Sequence, residues 1–199
     1  MQEIIIATKN PNKAKEFQRI FDPENFVIKT LLDFPDFPEI KETGSTFEEN
    51  ATIKAHAVMN QFHLPTIADD SGLSVDALFG QPGVRSARYA GDHNDAANNA
   101  KLLSEIGGTP EEKRTAKFVT VLVFANPKNP KDLVVEGEVN GLIASFPKGD
   151  DGFGYDPLFY VPSEGKTMSE MTLDEKNKIS HRGNAIRKLE SKWQDWIVL

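Results

Sequence analysis

Thr66-Ile67-Ala68-Asp69-Asp70-Ser71-Gly72-Leu73-Ser74-Val75 is the stretch on which the reading of this chain turns. Apolar residues run into two adjacent carboxylates, a hydroxyl and a glycine, and apolar alternation then resumes. The apolar ends and Gly72 predict a strand leading into a tight turn. Successive strand side chains face opposite ways, so Asp69 and Asp70 cannot point at the same partner. One is expected to face a cleft, the other to hydrogen-bond neighbouring backbone or a supporting side chain. For the motif alone, a turn with solvated carboxylates is the competing reading. The rest of the chain decides between them.

A chain of 199 residues is long enough for one well-filled core, in one domain or two tightly joined lobes. Apolar residues at 39% and charged residues at 27% are the proportions of an ordinary globular protein. No apolar run approaches the roughly 20 residues needed to span a bilayer, so no membrane association is expected. Met1-Gln2-Glu3 opens a strand-like run without a basic signal region, and nothing suggests export. There is no cysteine, which excludes disulfides and thiolate metal sites and fits a reducing cytoplasm. A formal charge of −7 argues against a nucleic-acid partner held by bulk electrostatics. It leaves room for a small anion held by a few local cations.

Residues 3–7 form a short, almost wholly apolar run typical of a buried strand, ended by Thr8-Lys9-Asn10-Pro11-Asn12-Lys13. Asn10 is a good N-cap, Pro11 suits the first helical position, and Phe17, Ile20 and Phe21 continue at helical spacing. A strand feeding a helix N-terminus leaves backbone N–H groups to meet an anion, and Lys13 adds charge where the helix dipole alone disfavours it. That combination points to a phosphate, with a plain helix cap as the competing reading. The Gly-rich P-loop pattern is absent. A second strand is predicted over 25–32. Thr46 and Glu49 form a capping box for a helix running to about residue 62, with Phe47, Ala51, Val58 and Phe62 on its buried face. Lys54 falls on that face, one turn after Asn50, and is expected to have an anionic partner, a carboxylate or a phosphate, with a lysine snorkelling to solvent as the competing reading. Glu42, just before the helix, is placed to complete a carboxylate cluster with Asp70.

Farther on, 80–89 reads as a loop with two arginines, 94–106 as a helix ended by Gly107-Gly108, and 118–124 and 133–139 as neighbouring strands. Residues 141–146 read as a further strand. In Lys148-Gly149-Asp150-Asp151-Gly152-Phe153-Gly154-Tyr155-Asp156-Pro157, three glycines let backbone pass close to a ligand. Phe153 could then offer a ring face to a planar base, with Asp156 accepting from base N–H groups. The competing reading is a turn with Phe153 in the core. Thr172 and Glu175 form a second capping box ahead of a short helix carrying Lys176. Ile186, Leu189, Trp193 and Trp196 mark a final amphipathic helix. His181 and Arg182 at its start oppose the dipole as Lys13 does, which favours an acceptor-rich ligand.

Taken in order, Thr8-Lys9-Asn10-x-x-Lys13, Glu42-Thr43-Gly44, Phe47-x-x-Asn50-Ala51-x-x-Lys54-Ala55 and Ala68-Asp69-Asp70-Ser71-Gly72-Leu73 form a pattern. Gly83-x-x-Ser86-Ala87-Arg88-Tyr89, Gly152-Phe153-Gly154-Tyr155-Asp156-Pro157-x-Phe159 and Ser180-His181-Arg182-Gly183 complete it. The chain closely resembles the Ham1/RdgB family of inosine/xanthosine triphosphate pyrophosphatases over essentially its full length. One departure is Asn12, where many relatives carry a small residue such as glycine.

The resemblance implies an α/β fold with a long central mixed sheet and flanking helices, two lobes around a nucleotide-binding cleft in one domain, and a homodimer. It also implies Mg²⁺-dependent cleavage of non-standard purine nucleoside triphosphates to monophosphate and pyrophosphate. By resemblance, Glu42 and Asp70 hold the metal and Asp70 accepts a proton from the attacking water. Thr8, Lys9, Asn10, Pro11, Asn12, Lys13, Lys54 and Ser71 then hold the triphosphate. Phe153, Gly154, Tyr155, Asp156, Lys176, His181 and Arg182 hold the base, and Asp69 supports. Three alternatives carry different expectations. Asp70-Ser71-Gly72 matches a half-site aspartic protease, which should be almost all β, against the two capping boxes. A nucleotide-binding sensor would turn nothing over. A Maf-type pyrophosphatase would share the reaction on other nucleotides.

Overall fold

The computed structural model describes residues 2–20, 26–91 and 94–197. Phe21 and Asn25 lie outside the described residues, as do the side chains of Ile20 and Trp196. Seven strands form one mixed sheet in the order β2-β1-β3-β4-β5-β6-β7. They are β1 (Gln2–Ile6), β2 (Phe26–Thr30), β3 (Thr66–Val75), β4 (Thr115–Asn126), β5 (Asn129–Ile143), β6 (Phe159–Val161) and β7 (Lys166–Thr167). β1 pairs parallel with β2 and β3, whereas β6 pairs antiparallel with β5 and β7. The helices are α1 (Pro11–Ile20), α2 (Phe47–Phe62), α3 (Asp95–Ile106), α4 (Leu173–Ile179) and α5 (His181–Ile197). The fold class is α/β, as expected.

By its contacts the chain divides into two units. The first comprises Met1–Asp70, Thr120–Gly137 and Gly183–Leu199, the second Ser71–Val119 and Glu138–Arg182. In the first unit, strand alternation sorts the core into two layers. Ile4, Ile6, Ile67, Leu122 and Phe124 pack with Phe17 of α1 and Ala185, Ile186, Leu189 and Trp193 of α5. Ile5, Ala7, Ala68, Val121, Val123 and Ala125 pack with Ala51, Ala55 and Val58 of α2. The period-2 pattern of each strand thus assigns one helix set to each face of the sheet. The second unit buries its own core, in which Leu73, Val75, Leu102, Ile106, Phe118, Tyr155 and Phe159 meet.

Three expectations are corrected. No turn follows Asp70: β3 runs unbroken through Asp69, Asp70, Ser71 and Gly72 to Val75. Turn-forming residue types persist in a strand here because both carboxylates find partners that a solvated turn would not supply. Residues 141–146 are not a separate strand, since 141–143 finish the 15-residue β5. A Cβ on Gly141 would lie 2.5 Å from the Tyr160 carbonyl oxygen, so glycine keeps that strand seated against β6. The second strand stops at Thr30, whose hydroxyl accepts from the Leu32 N–H at 3.2 Å and caps a single 3-10 turn (Leu31–Asp33). The 80–89 loop likewise contains a 3-10 segment, Gly83–Arg88. The starts of α1, α2 and α4 stand where their caps place them.

Candidate active site

β3 sends its two carboxylates to opposite faces, as strand geometry requires. Asp69 continues the Ile67 face and accepts from Lys13 Nζ of α1 at 2.8 Å, with side chains 2% and 17% exposed. Asp70 continues the Ala68 face toward α2. Its Oδ2 accepts from Asn50 Nδ2 at 3.0 Å, and its Oδ1 lies 3.7 Å from Lys54 Nζ. Lys54 Nζ also donates to Glu42 Oε1 at 2.6 Å. Asn50 and Lys54 are one turn apart and therefore share a helix face. The anionic partner that Lys54 requires is thus a pair of carboxylates.

The loop carrying Glu42 is fixed from the same helix. Asn50 Oδ1 accepts from the Gly44 N–H at 2.8 Å, so one fully buried amide ties the Glu42 loop to Asp70. A Cβ on Gly44 would lie 2.6 Å from Glu49 Cβ and 2.8 Å from Asn50 Oδ1, which leaves room for glycine alone. The capping box of α2 is shifted. Thr46 Oγ1 accepts from the Glu49 N–H at 3.1 Å, but the Glu49 carboxylate reaches back to the Ser45 N–H at 2.6 Å. Burial pushes the Asp70 carboxyl above its ordinary value, opposed by Lys54, reinforced by Glu42 and opposed again by Lys13 and the Asn50 bond. For Lys54, burial acts downward, yet Asp70, Asp69 and Glu42 together hold it above the usual lysine value.

The N-terminus of α1 is capped by side chains of its own turn. Asn10 Oδ1 accepts from the N–H groups of Asn12 at 2.9 Å and Lys13 at 3.3 Å, and Thr8 Oγ1 accepts from the Asn10 N–H at 3.1 Å. Side chains therefore take backbone donors that the sequence reading left for an anion. Lys9 donates from Nζ to the Phe37 carbonyl. What this turn offers a phosphate is chiefly the Lys13 ammonium, already seated on Asp69. Pro11 and Asn12 are exposed.

A second cluster lies in the other unit. Asp156, 3% exposed, accepts through Oδ2 from the Phe153 N–H at 2.9 Å and from Lys176 Nζ at 2.7 Å. Lys176 Nζ stands 4.8 Å from the Phe153 ring centroid, and Arg182 Cζ stands 6.0 Å from it. Phe153 is half-buried against cations, an outcome distinct from both a ring buried in the core and a bare ring face. Arg182, 1% exposed, donates from Nη2 to Ser71 Oγ at 3.3 Å, and burial pulls its pKa down to about 10. It therefore stays charged at neutral pH. His181 opens α5 and stacks on Phe118 with centroids 4.9 Å apart. Gly152 has φ +87°, and a Cβ there would lie 2.4 Å from Asp156 Oδ2, so the turn over Asp156 requires glycine.

Two residues of α3 that sequence reasoning did not single out hold this loop. Asp95 Oδ2 accepts from the Gly154 N–H at 2.8 Å, and Asn99 Nδ2 donates to the Gly154 carbonyl at 2.9 Å. Both backbone polar groups of Gly154 are gripped by residues one helical turn apart. Tyr155, buried, donates from its hydroxyl to the Ser86 carbonyl at 2.8 Å. Asn50 carried a visible signal, a polar residue on an apolar helix face; Asp95 and Asn99 carried none.

Among the described residues, no three or more His, Cys, Asp or Glu side chains are grouped to cage a metal. Glu42 and Asp70 supply hard oxygen donors, few in number, and such a pair suits Mg²⁺, which keeps waters and is completed by substrate phosphates. No helix among the described residues is long and apolar enough to cross a membrane.

Comparison with known proteins identifies the family. The family model described as the Ham1 family matches residues 4–192. A dITP/XTP pyrophosphatase of Lactiplantibacillus plantarum is 58% identical over 195 residues, covering 98% of this chain and 96% of that protein. One of Geobacillus kaustophilus is 55% identical over 196 residues, covering 98% and 96%. The solved structure of the Staphylococcus aureus Ham1 protein superposes with a TM-score of 0.86 at 44% identity, covering 98% of this chain and 99% of that one. With a family model matched over nearly the whole chain, relatives more than half identical along its length and a solved structure of the same fold, the chain belongs to the Ham1 family.

Proposed function

We propose that this chain is a dITP/XTP pyrophosphatase, which hydrolyses ITP, dITP and XTP to the nucleoside monophosphate and pyrophosphate. The observation that carries the reading is the Asp70 cluster, standing in a chain 58% identical to a protein of that name. Asp70 accepts the proton of a water whose oxygen attacks the α-phosphorus. The bond between the α-phosphorus and the bridging oxygen breaks, and pyrophosphate leaves with the electron pair. A carboxylate raised by burial is a better proton acceptor than an ordinary aspartate once ionised. Asn50 holds it through the other oxygen. Glu42 and Asp70 are the residues that would hold Mg²⁺, which when bound polarises phosphate oxygens and lowers the pKa of coordinated water.

Thr8, Lys9, Asn10, Pro11, Asn12, Lys13, Lys54 and Ser71 are assigned to the triphosphate, with the lysines countering its negative charge. Phe153, Gly154, Tyr155, Asp156, Lys176, His181 and Arg182 are assigned to the base. Of these, Tyr155 and Asp156 act through the loop they order, and Phe153, Lys176 and Arg182 form the surface that meets the purine. A cytoplasmic homodimer acting on free nucleotides completes the reading, and sedimentation velocity tests the dimer. Chromatography of the products of dITP tests the reaction: dIMP and pyrophosphate in equal amounts are expected. Release of dIDP and inorganic phosphate would contradict it.

A further inference from the structure

Lys54 occupies a position that a substrate-binding lysine alone does not require. Its ammonium lies 2.6 Å from Glu42 Oε1 and 3.7 Å from Asp70 Oδ1, the two carboxylates assigned to the metal. It approaches from α2 on a four-carbon stem, with its side chain 11% exposed. It thus lies within ion-pair distance of two like charges at once. The Lys13 ammonium bonds Asp69 at 2.8 Å and acts on Asp70 electrostatically, whereas Lys54 is the lysine in contact with both carboxylates assigned to the metal. The described residues offer no third carboxylate or imidazole grouped with this pair to complete a metal cage.

We propose that Lys54 is an internal counterion that holds the metal ligands in place while the metal is absent and is displaced when the metal arrives. Binding is then an exchange of one cation for another, and the displaced ammonium is released toward the triphosphate. A lysine suits this exchange because its point charge and flexible stem need no fixed partner geometry, unlike the planar fork of an arginine. Asn50 keeps the arrangement through the exchange, because its two amide atoms bind Asp70 Oδ2 and the Gly44 N–H rather than the oxygens that Lys54 contacts. The inference rests on the assignment of Glu42 and Asp70 to the metal.

The test uses the full chain without nucleotide and Mn²⁺ as probe. Calorimetric titration of the native protein should give weak binding, and Lys54→Met should bind Mn²⁺ at least about tenfold more tightly, since a cation within 4 Å of the ligands no longer competes. Metal-free Lys54→Met should melt below the native protein, and Mn²⁺ should raise its melting temperature more than it raises that of the native chain. Equal affinities, or a Lys54→Met protein whose melting is unaltered with and without Mn²⁺, would overturn the proposal. If Lys54→Met does not fold, the side-chain ammonium resonance of Lys54 in the native protein decides. Titration with Mg²⁺ should shift it away from its ion-paired position, and an unshifted resonance at saturating Mg²⁺ overturns the exchange. Glu42→Gln separates the two ideas: if it binds Mn²⁺ as the native chain does, the metal assignment itself falls.

Discussion

At the scale of single residues, the two aspartates of β3 divide the labour by facing opposite ways. Asp70→Asn keeps the shape and the Asn50 contact but removes the proposed base and metal ligand. Turnover of dITP should fall by at least about 10²–10⁴-fold, the usual contribution of a positioned acid–base group. A folded Asp70→Asn protein with native activity would contradict the assignment. The same variant has a pH signature. The folded-state pKa of Asp70 is raised, so its ionisation disfavours the fold above that pKa and is neutral below the unfolded carboxyl value. Asp70→Asn should therefore melt at or above the native temperature at pH 8 in EDTA, and the difference should vanish as pH falls through the carboxylate range. Lys13 pairs with Asp69 and is proposed to bind the triphosphate, and its removal should show both. Lys13→Ala should weaken dITP binding by about 1.5–3 kcal/mol, the worth of a charge-assisted contact. It should also destabilise the fold by taking the ammonium from buried Asp69. Lys13→Met with Asp69→Asn removes both charges and should recover melting temperature without recovering affinity, as calorimetry with dITP would read.

At the scale of elements, α3 holds the Phe153 loop through Gly154. Asn99→Ala removes the donor to the Gly154 carbonyl. KM for dITP should rise severalfold with kcat little changed, and Asn99→Gln should recover part of the loss. A native KM in Asn99→Ala would show that the loop holds its own shape. The grip could not be read from the chain, because Gly154 lies 59 residues from Asp95 and 55 from Asn99. Local signals were legible wherever the chemistry is local. Asn10-Pro11, Thr46 and the Thr172–Glu175 box each start a helix where they stand. The sequence misled at Asp69-Asp70-Ser71-Gly72, whose residue types favour a turn. The ion pairs and amide contacts that keep those residues in a strand come from α1 and α2 and cannot be seen locally. Lys54 on an apolar face did announce a partner, and the partner is Glu42 with Asp70.

At the scale of the whole molecule, the proposed function is a choice among nucleotides. Hypoxanthine and xanthine present an oxygen at C6, which accepts; adenine presents an amino group, which donates. Arg182 can only donate, so adenine opposite it sets donor against donor. A site built on such a bond can reject the wrong group by about 10⁴-fold. Guanine shares the C6 oxygen and differs at C2, so its rejection depends less on Arg182. Because Arg182 is buried, Arg182→Ala will also lower stability. The ratio of kcat/KM for two substrates on one preparation is independent of the fraction folded, and the ITP-to-ATP ratio should narrow while the ITP-to-GTP ratio changes less. An unchanged ITP-to-ATP ratio would mean that Arg182 does not read the base. The central claim, metal-dependent pyrophosphate release selective for C6-oxo purines outside the standard set, is tested most directly by one panel. Pyrophosphate release is measured on the native chain with dITP, XTP, dATP and dGTP, with Mg²⁺ and with EDTA. The account predicts kcat/KM for dITP and XTP well above those for dATP and dGTP, and activity lost in EDTA and restored by Mg²⁺. Equal rates on all four nucleotides, or full activity in EDTA, would contradict it.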